Sequence, residues 1–331
     1  MESIGAPDAR PMLLVLRALK LGDLLVAVPA LHALRRAFPA HRLVYAGPAW
    51  LADIVGLVGG FELLPAALDT PLAVTPGTVD IAVNLHGRGP ESTALLESAG
   101  PRRLIAHGTA SGGPPWVEQM HERERWTRLL RWHGIEAGPL EVRLERPRVS
   151  GVQGTGLQAS GPPGTGAPGT GARPAAVVHV GAAYGSRLWP EKRFAAVASA
   201  LDRAGHDVVL TGSADERDRA LRVARQAGLP DSAVVAGTQR LAEFAATVAD
   251  AGVVVSADTG AAHLATAYQR PSVVLFGPAP PERWGPPAGP HVVLTQAELR
   301  RGDVFADEPD PALLGVGVQD VLAALRGLGL L

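Results

Sequence analysis

Residues 179–194 read HVGAAYGSRLWPEKRF, an order of residue types suited to holding an anion. An apolar strand ends near His179, small residues follow, and a helical pattern opens after Pro190. The N–H groups of Gly181, Ala182 and Ala183 are open to close approach because their side chains are small. Free N–H groups at a helix start, together with the helix dipole, favour negative charge. Ser186 and Arg187 stand in the same turn, and a guanidinium fork matches phosphate oxygens. Taken alone, the stretch also describes a plain tight turn with a solvated arginine. A second stretch, VVVSADTGAAHLATA (253–267), repeats the design. Thr259 and Gly260 offer N–H groups at another helix start, with Asp258 before them and His263 one turn on. Asp258 alone reads as a helix cap and His263 as a satisfied core histidine. Two anion-friendly helix starts on one sheet edge suit a diphosphate. A third turn, in VVLTGSADERDRA (208–220), sets Gly212, Asp215 and Glu216 after a strand. An acidic side chain there can take the hydroxyls of a ribose, or simply enrich a first helical turn in acid. No G-x-x-x-x-G-K-[ST] occurs, which excludes a P-loop NTPase.

The first half carries a different chemistry. In LRALKLGDLL (16–25), Gly22 permits a sharp strand-to-helix turn and Asp23 stands at the helix start. A carboxylate facing a bound diphosphate across a cleft is placed to accept a proton from an attacking hydroxyl. The plain alternative for Asp23 is a helix cap. NLHGRGPES (84–92) adds Asn84, His86 and Arg88 on the same strand edge as acceptor contacts, or as a hydrogen-bonded loop.

The elements that must position these residues alternate regularly. In the first half, 12–17, 42–47 and 80–87 read as strands. Residues 23–38 read as a helix kinked or restarted at Pro29, and 123–134 as an amphipathic helix. In the second half, strands are expected at 175–180, 207–211, 233–236, 252–256 and 272–276, with helices at 191–204, 214–227, 240–249 and 260–269. Buried strands alternating with helices predict parallel sheets covered on both faces, an α/β fold. Residues 150–174, SGVQGTGLQASGPPGTGAPGTGARP, hold almost no aliphatic side chains and read as a flexible Gly/Pro-rich linker. Domains are therefore expected at 11–149 and 175–331, after a disordered 1–10. The last helix, about 317–329, is expected to pack back on the first domain. The match of Gly164, Gly166 and Gly169 to G-x-G-x-x-G falls in the linker, with no strand before it and no helix after it, and is not a dinucleotide site.

Bulk properties narrow the class. The chain has 331 residues, 47% of them apolar, and a formal net charge of −1, which argues against a nucleic-acid binder. With no cysteine, disulfides and thiolate metal sites are absent, and no Asp-x-Asp metal motif occurs. The first residues lack the apolar core of a signal peptide, and no apolar run is long enough to span a bilayer. The expectation is a cytoplasmic monomer without a cofactor, free to associate peripherally with a membrane.

Four stretches together carry a resemblance: LRALKLGDLLVAVPALHALRRAFP, HVGAAYGSRLWPEKRFAAVASAL, VVVSADTGAAHLATA and PSVVLFGPAPPERWGP. The chain resembles glycosyltransferase family 9, the family of the ADP-heptose:lipopolysaccharide heptosyltransferases. The resemblance implies a GT-B architecture, two Rossmann-like domains facing a cleft, with acceptor on the first and sugar nucleotide on the second. It implies metal-independent inversion at the anomeric carbon. Asp23 takes the position of the family's base, and Arg187 that of the basic residue holding the leaving diphosphate. Asp258, Thr259, Gly260 and His263 fall at the pyrophosphate and sugar, Glu216 at the ribose, and Gln239 and Leu241 beside the nucleobase. The implied partners are an ADP-heptose-like donor and a glycan, glycolipid or small-molecule acceptor. The chain departs from the family in three ways. Ala182 and Ala183 replace the hydroxyl side chains of some members, the 150–174 insert is long, and SGGPPWVEQMHERERW (111–126) shows little of the basic pocket that an acidic lipopolysaccharide core would need. A sugar-nucleotide 2-epimerase and a non-catalytic sugar-nucleotide-binding protein are the alternatives on the same architecture.

Overall fold

Leu13, Leu14, Val15 and Leu16 follow one another without a polar residue, the mark of a strand buried on both faces. In the computed structural model, which describes residues 10–108, 112–148 and 175–331, they belong to β1 (Met12–Leu16). The expected linker at 150–174 and residues 1–9 of the expected disordered start lie outside the described residues. The chain divides into two compact units, Met1–Glu145 and Arg146–Leu331.

In the first unit, β1, β2 (Arg42–Gly47), β3 (Phe61–Pro65), β4 (Val79–Asn84) and β5 (Arg103–Ile105) form a parallel sheet of order β3-β2-β1-β4-β5. The helices are α1 (Leu21–Ala37), α2 (Ala52–Val58), α3 (Glu91–Glu97) and α4 (Glu122–Trp132). The short β3, β5, α2 and α3 add to the expected elements. Helix α1 runs unbroken through Pro29, where a kink or restart is expected from sequence. Its buried residues lie on nearly every side, and burial that includes packing on α4 offsets the one backbone hydrogen bond that proline cannot make. Strand order reverses between β1 and β4. The register sets Leu16 beside Asn84, so the two chains leave the sheet side by side and open a crevice at its carboxyl edge.

Beyond β5, His107 is buried against Trp116 and Trp126, with ring centroids 5.0 and 5.9 Å away. Burial holds its pKa down to about 4. The folded-state value lies below the unfolded one, so the unfolded chain takes up a proton first as pH falls. Stability is fully present above about pH 6.5 and falls between there and about pH 4, by on the order of 3 kcal/mol. Urea unfolding followed through tryptophan fluorescence is expected to show this loss, and His107→Gln is expected to flatten it.

In the second unit, β6 (Ala175–His179), β7 (Asp207–Thr211), β8 (Val253–Ala257), β9 (Ser272–Leu275) and β10 (His291–Leu294) form a parallel sheet of order β10-β9-β8-β6-β7. Its helices are α5 (Glu191–Arg203), α6 (Arg217–Ala227), α7 (Leu241–Asp250), α8 (Gly260–Ala267), α9 (Pro281–Trp284), α10 (Pro311–Leu314) and α11 (Val318–Gly327). The expected strand at 233–236 is not one. Only Val234 forms a bridge, to Leu210 of β7, and the Val235 and Gly237 N–H groups reach the Leu210 and Gly212 carbonyls without continuing a ladder. Trp189 is fully buried, donates from Nε1 to the Val316 carbonyl at 3.0 Å, and meets Phe194 edge-on at 5.0 Å. Helix α11 buries Val321 and Leu325 in this same core and packs on α5, β9 and β10. Its buried residues thus join the core of the second unit. Among the described residues, no helix is long and apolar enough to cross a membrane.

Candidate active site

In the first unit the β1–β4 crevice is organised by a residue that sequence reasoning passes over. Arg17 follows β1 directly and is only 1% exposed. Its Nε donates to the Asp23 carbonyl at 2.5 Å, one terminal nitrogen donates to the Leu85 carbonyl, and the other lies 3.5 Å from Asp23 Oδ1. The guanidinium sits over the Trp126 ring at 4.7 Å, so α4 supports it from below. The available signal was a cation ending the apolar run MLLVLR.

Asp23 is neither in a loop nor the cap residue itself. It occupies the third position of α1, and its Oδ2 accepts the Lys20 N–H at 3.3 Å. That contact and Arg17 fix the carboxylate while leaving the side chain 25% exposed. Gly22 lies inside the first turn of α1, not at a sharp turn before it; a small residue there leaves room beside Asp23.

His86 leaves β4 next to this turn. Its Nδ1 accepts the Ala18 N–H at 3.2 Å, which puts the proton of the neutral ring on Nε2. Burial, then the Arg17 charge, lowers its pKa. Asn84 does not reach an acceptor. It is fully buried, its amide nitrogen donates to Ser92 Oγ at 2.9 Å and Thr93 Oγ1 at 3.0 Å, and its oxygen accepts the His86 N–H. It holds the His86 loop in shape, as a buried amide must satisfy its own hydrogen bonds first. Arg88 is exposed on that loop.

In the second unit, order reverses between β6 and β8, and both predicted anion turns leave the sheet at that switch. Among the described residues no hydrogen bond engages the N–H groups of Gly181, Ala182 or Ala183. An added Cβ at Gly181 would lie 1.9 Å from Glu216 Oε2, so a larger residue there would displace that carboxylate. Glu216 stands just before α6, its Oε2 accepting the Ser213 N–H at 2.6 Å beside Gly212. The carboxylate thereby stands beside Gly181 and Gly212, at the ends of β6 and β7.

The β8 turn holds a charge chain. Asp258 is 3% exposed; Oδ2 lies 3.8 Å from Arg187 and Oδ1 lies 3.6 Å from His263 Nε2. Arg187 also approaches the Asp258 carbonyl at 3.4 Å, while its buried Nε has no partner. Thr259, not Asp258, caps α8, and its hydroxyl meets Ser256 Oγ at 2.9 Å. His263 is therefore no isolated core histidine. The Ala262 and His263 N–H groups donate to the Thr259 carbonyl at 3.1 and 3.4 Å, which leaves those of Gly260 and Ala261 as the leading donors of α8.

Two expected donor contacts are placed differently. Ser186 is buried, with its N–H on the Ala306 carbonyl and its hydroxyl on the Val304 carbonyl, so it anchors a distant loop. Gln239 donates to Thr247 Oγ1 at 2.6 Å, which ties it to α7, and Leu241, half-buried, opens that helix. His179 carries no role expected from sequence. It ends β6 with Nδ1 3.0 Å from Thr211 Oγ1 and its ring 5.5 Å from Phe244, and burial lowers its pKa against the opposing effect of Glu216.

Two doubly wound parallel sheets, each switching order where its charged turns emerge, define the GT-B class of α/β fold. The glycosyltransferase family 9 structure from Veillonella parvula superposes with a TM-score of 0.72 at 17% identity, over 96% of this chain and 97% of that one. The structure of Escherichia coli ADP-heptose LPS heptosyltransferase II gives 0.69 at 19% identity, over 96% and 98%. In sequence, residues 149–304 match the model of glycosyltransferase family 9 (heptosyltransferase). Lipopolysaccharide heptosyltransferase 2 of E. coli K12 is 30% identical over 168 residues, 47% of each chain, so the similarity spans about half the length of that curated relative. The likeness to glycosyltransferase family 9 thus lies in residues 149–304 for the sequence and in the fold for nearly the whole chain.

Proposed function

We propose that this protein is an inverting glycosyltransferase that moves a heptose-like sugar from an ADP-linked donor to a hydroxyl of a cell-envelope glycan or glycolipid. The observation that carries the reading is the Arg187–Asp258–His263 chain beside the unbonded N–H groups of Gly181–Ala183, at the strand-order switch of the family-matched unit. A diphosphate there meets a guanidinium fork and two sets of backbone donors, all fixed before it arrives. Glu216 takes the ribose hydroxyls at the neighbouring turn. In the first unit, Asp23 accepts the proton of the acceptor hydroxyl as its oxygen attacks the anomeric carbon. The bond from that carbon to the phosphate oxygen breaks on the opposite face and ADP leaves. The charge growing on the leaving oxygen is met by Arg187 and the helix starts, so the chain's own groups carry the step without a metal. His86 and Arg88 orient the acceptor. The protein works as a monomer on the cytoplasmic side, at the membrane surface where a glycolipid acceptor presents its head.

The names of the relatives support ADP over other nucleotides and heptose over other sugars. Calorimetry with ADP, UDP and GDP, followed by incubation with ADP-heptose with and without an acceptor glycan, tests the reading. ADP is expected to bind most tightly, and product is expected to form only with acceptor present. Sugar isomerisation without acceptor would instead establish an epimerase, and tight binding with neither reaction a carrier.

A further inference from the structure

Residues 300–310 form a loop that no part of the mechanism above uses, yet it is fastened to the diphosphate turn at many points. Ser186 donates from its N–H to the Ala306 carbonyl at 2.8 Å and from its hydroxyl to the Val304 carbonyl at 2.9 Å. Asp310 returns its own N–H to the Ser186 carbonyl at 3.0 Å, and its carboxylate accepts the N–H groups of Arg301 and Gly302. An added Cβ at Gly185 would lie 1.6 Å from the Asp307 carbonyl oxygen, so backbone meets backbone there. On the β9 side, Arg300 Nε donates to the Gly277 carbonyl at 2.8 Å. A loop held this way keeps its side chains in one place. What it presents is Phe305, 68% exposed, standing edge-on to Tyr184 of the diphosphate turn with ring centroids 5.0 Å apart.

The strand order tells which part of a donor reaches this ring. Along the carboxyl edge run β7, β6, β8 and β9, with Glu216 after β7, the Gly181–Arg187 turn after β6 and Asp258–Gly260 after β8. A donor with its ribose at Glu216 and its diphosphate at the β6 and β8 turns continues toward β9. There the loop waits. Its exposed charges are Asp303, Asp307 and Glu308 against Arg301, an acidic surround that disfavours a further phosphate or an anionic lipid surface and tolerates a neutral polyol. We infer that Phe305, propped by Tyr184, is the wall on which the sugar ring of the donor rests, and so a specificity-determining contact for the transferred sugar. The inference rests on the nucleotide-sugar reading given above. One apolar face of a sugar ring against a fixed aromatic ring excludes water there and leaves the hydroxyls on its rim free for polar partners.

The test compares calorimetric affinities of the full chain for ADP and for ADP-heptose. Phe305→Ala is expected to bind ADP as the wild-type chain does and ADP-heptose about threefold to tenfold more weakly, the scale of one lost aromatic contact. Phe305→Trp is expected to restore the ADP-heptose affinity. Because the side chain is exposed, the thermal midpoint of both variants should match the wild type. An unchanged ratio of the two affinities in Phe305→Ala, whether both fall or neither does, overturns the inference while leaving the nucleotide-sugar reading standing. A wild-type chain that binds no ADP overturns that reading and this inference with it.

Discussion

Asp23→Asn is expected to bind ADP with wild-type affinity and to transfer sugar on the order of 10²–10⁴-fold more slowly, the usual worth of a positioned general base. The substitution keeps size and shape but removes the only group in the β1–α1 turn that can take a proton. It also exposes how the site is built. The carboxylate now serves two donors at once, with Oδ1 toward Arg17 and Oδ2 on the Lys20 N–H. A carboxamide has one acceptor oxygen, so one of those donors must face an NH₂ group. A stability loss of about 1 kcal/mol is expected from the weakened helix start. Urea unfolding measures that loss, calorimetry the ADP affinity, and ADP release from ADP-heptose in the presence of acceptor the transfer rate. A parallel fall in nucleotide binding and transfer would make Asp23 a structural residue and remove it from the mechanism. Arg17 sharpens the comparison: it is buried and touches the carboxylate from behind, so it acts as a positioning residue for Asp23.

Arg187→Ala is expected to weaken ADP binding by roughly 30-fold to 1000-fold and AMP binding much less, matching about 2–4 kcal/mol for truncating one side of a buried charge pair. Two effects add. The guanidinium no longer meets the diphosphate, and Asp258, 3% exposed, loses its ion-pair partner. A diphosphate entering that turn would then face an uncompensated carboxylate. Arg187→Lys is expected to recover part of the affinity, because an ammonium supplies charge without the fork. Calorimetry with both nucleotides checks the result; equal affinity for ADP in wild type and Arg187→Ala would remove Arg187 from the donor site. Raising the salt concentration should narrow the gap only slightly, since the pair is mostly shielded from solvent.

Much of this was legible in the residues, and the legible parts share a cause. Strands such as MLLVL and VVVSA are apolar throughout, so burial on both faces follows from composition alone. The turns that carry Gly181, Glu216 and Asp258 were found because each sits where an apolar run gives way to a helical pattern. The false strand at 233–236 shows the limit: a short apolar run looks the same whether it joins a ladder or only touches its edge at Val234. Asn84 and Ser186 show another. Both carry polar groups at a promising edge, and sequence cannot tell that Ser92, Thr93 and residues 304–306 arrive to absorb them.

By itself, then, the sequence determined the α/β alternation of both units, the positions of the strand-to-helix turns and the residue types suited to an anion and to a base. Those features depend on local pattern, where apolar spacing and small residues suffice. Tertiary structure alone decided which polar side chains are left over for a ligand. Asp258 became the bridge between Arg187 and His263, Arg17 came under Asp23, Ser186 was closed off, and Phe305 was set beside Tyr184. Each of those outcomes turns on groups 5 to 121 positions apart in the chain meeting within hydrogen-bonding or van der Waals reach, and no local pattern records who meets whom.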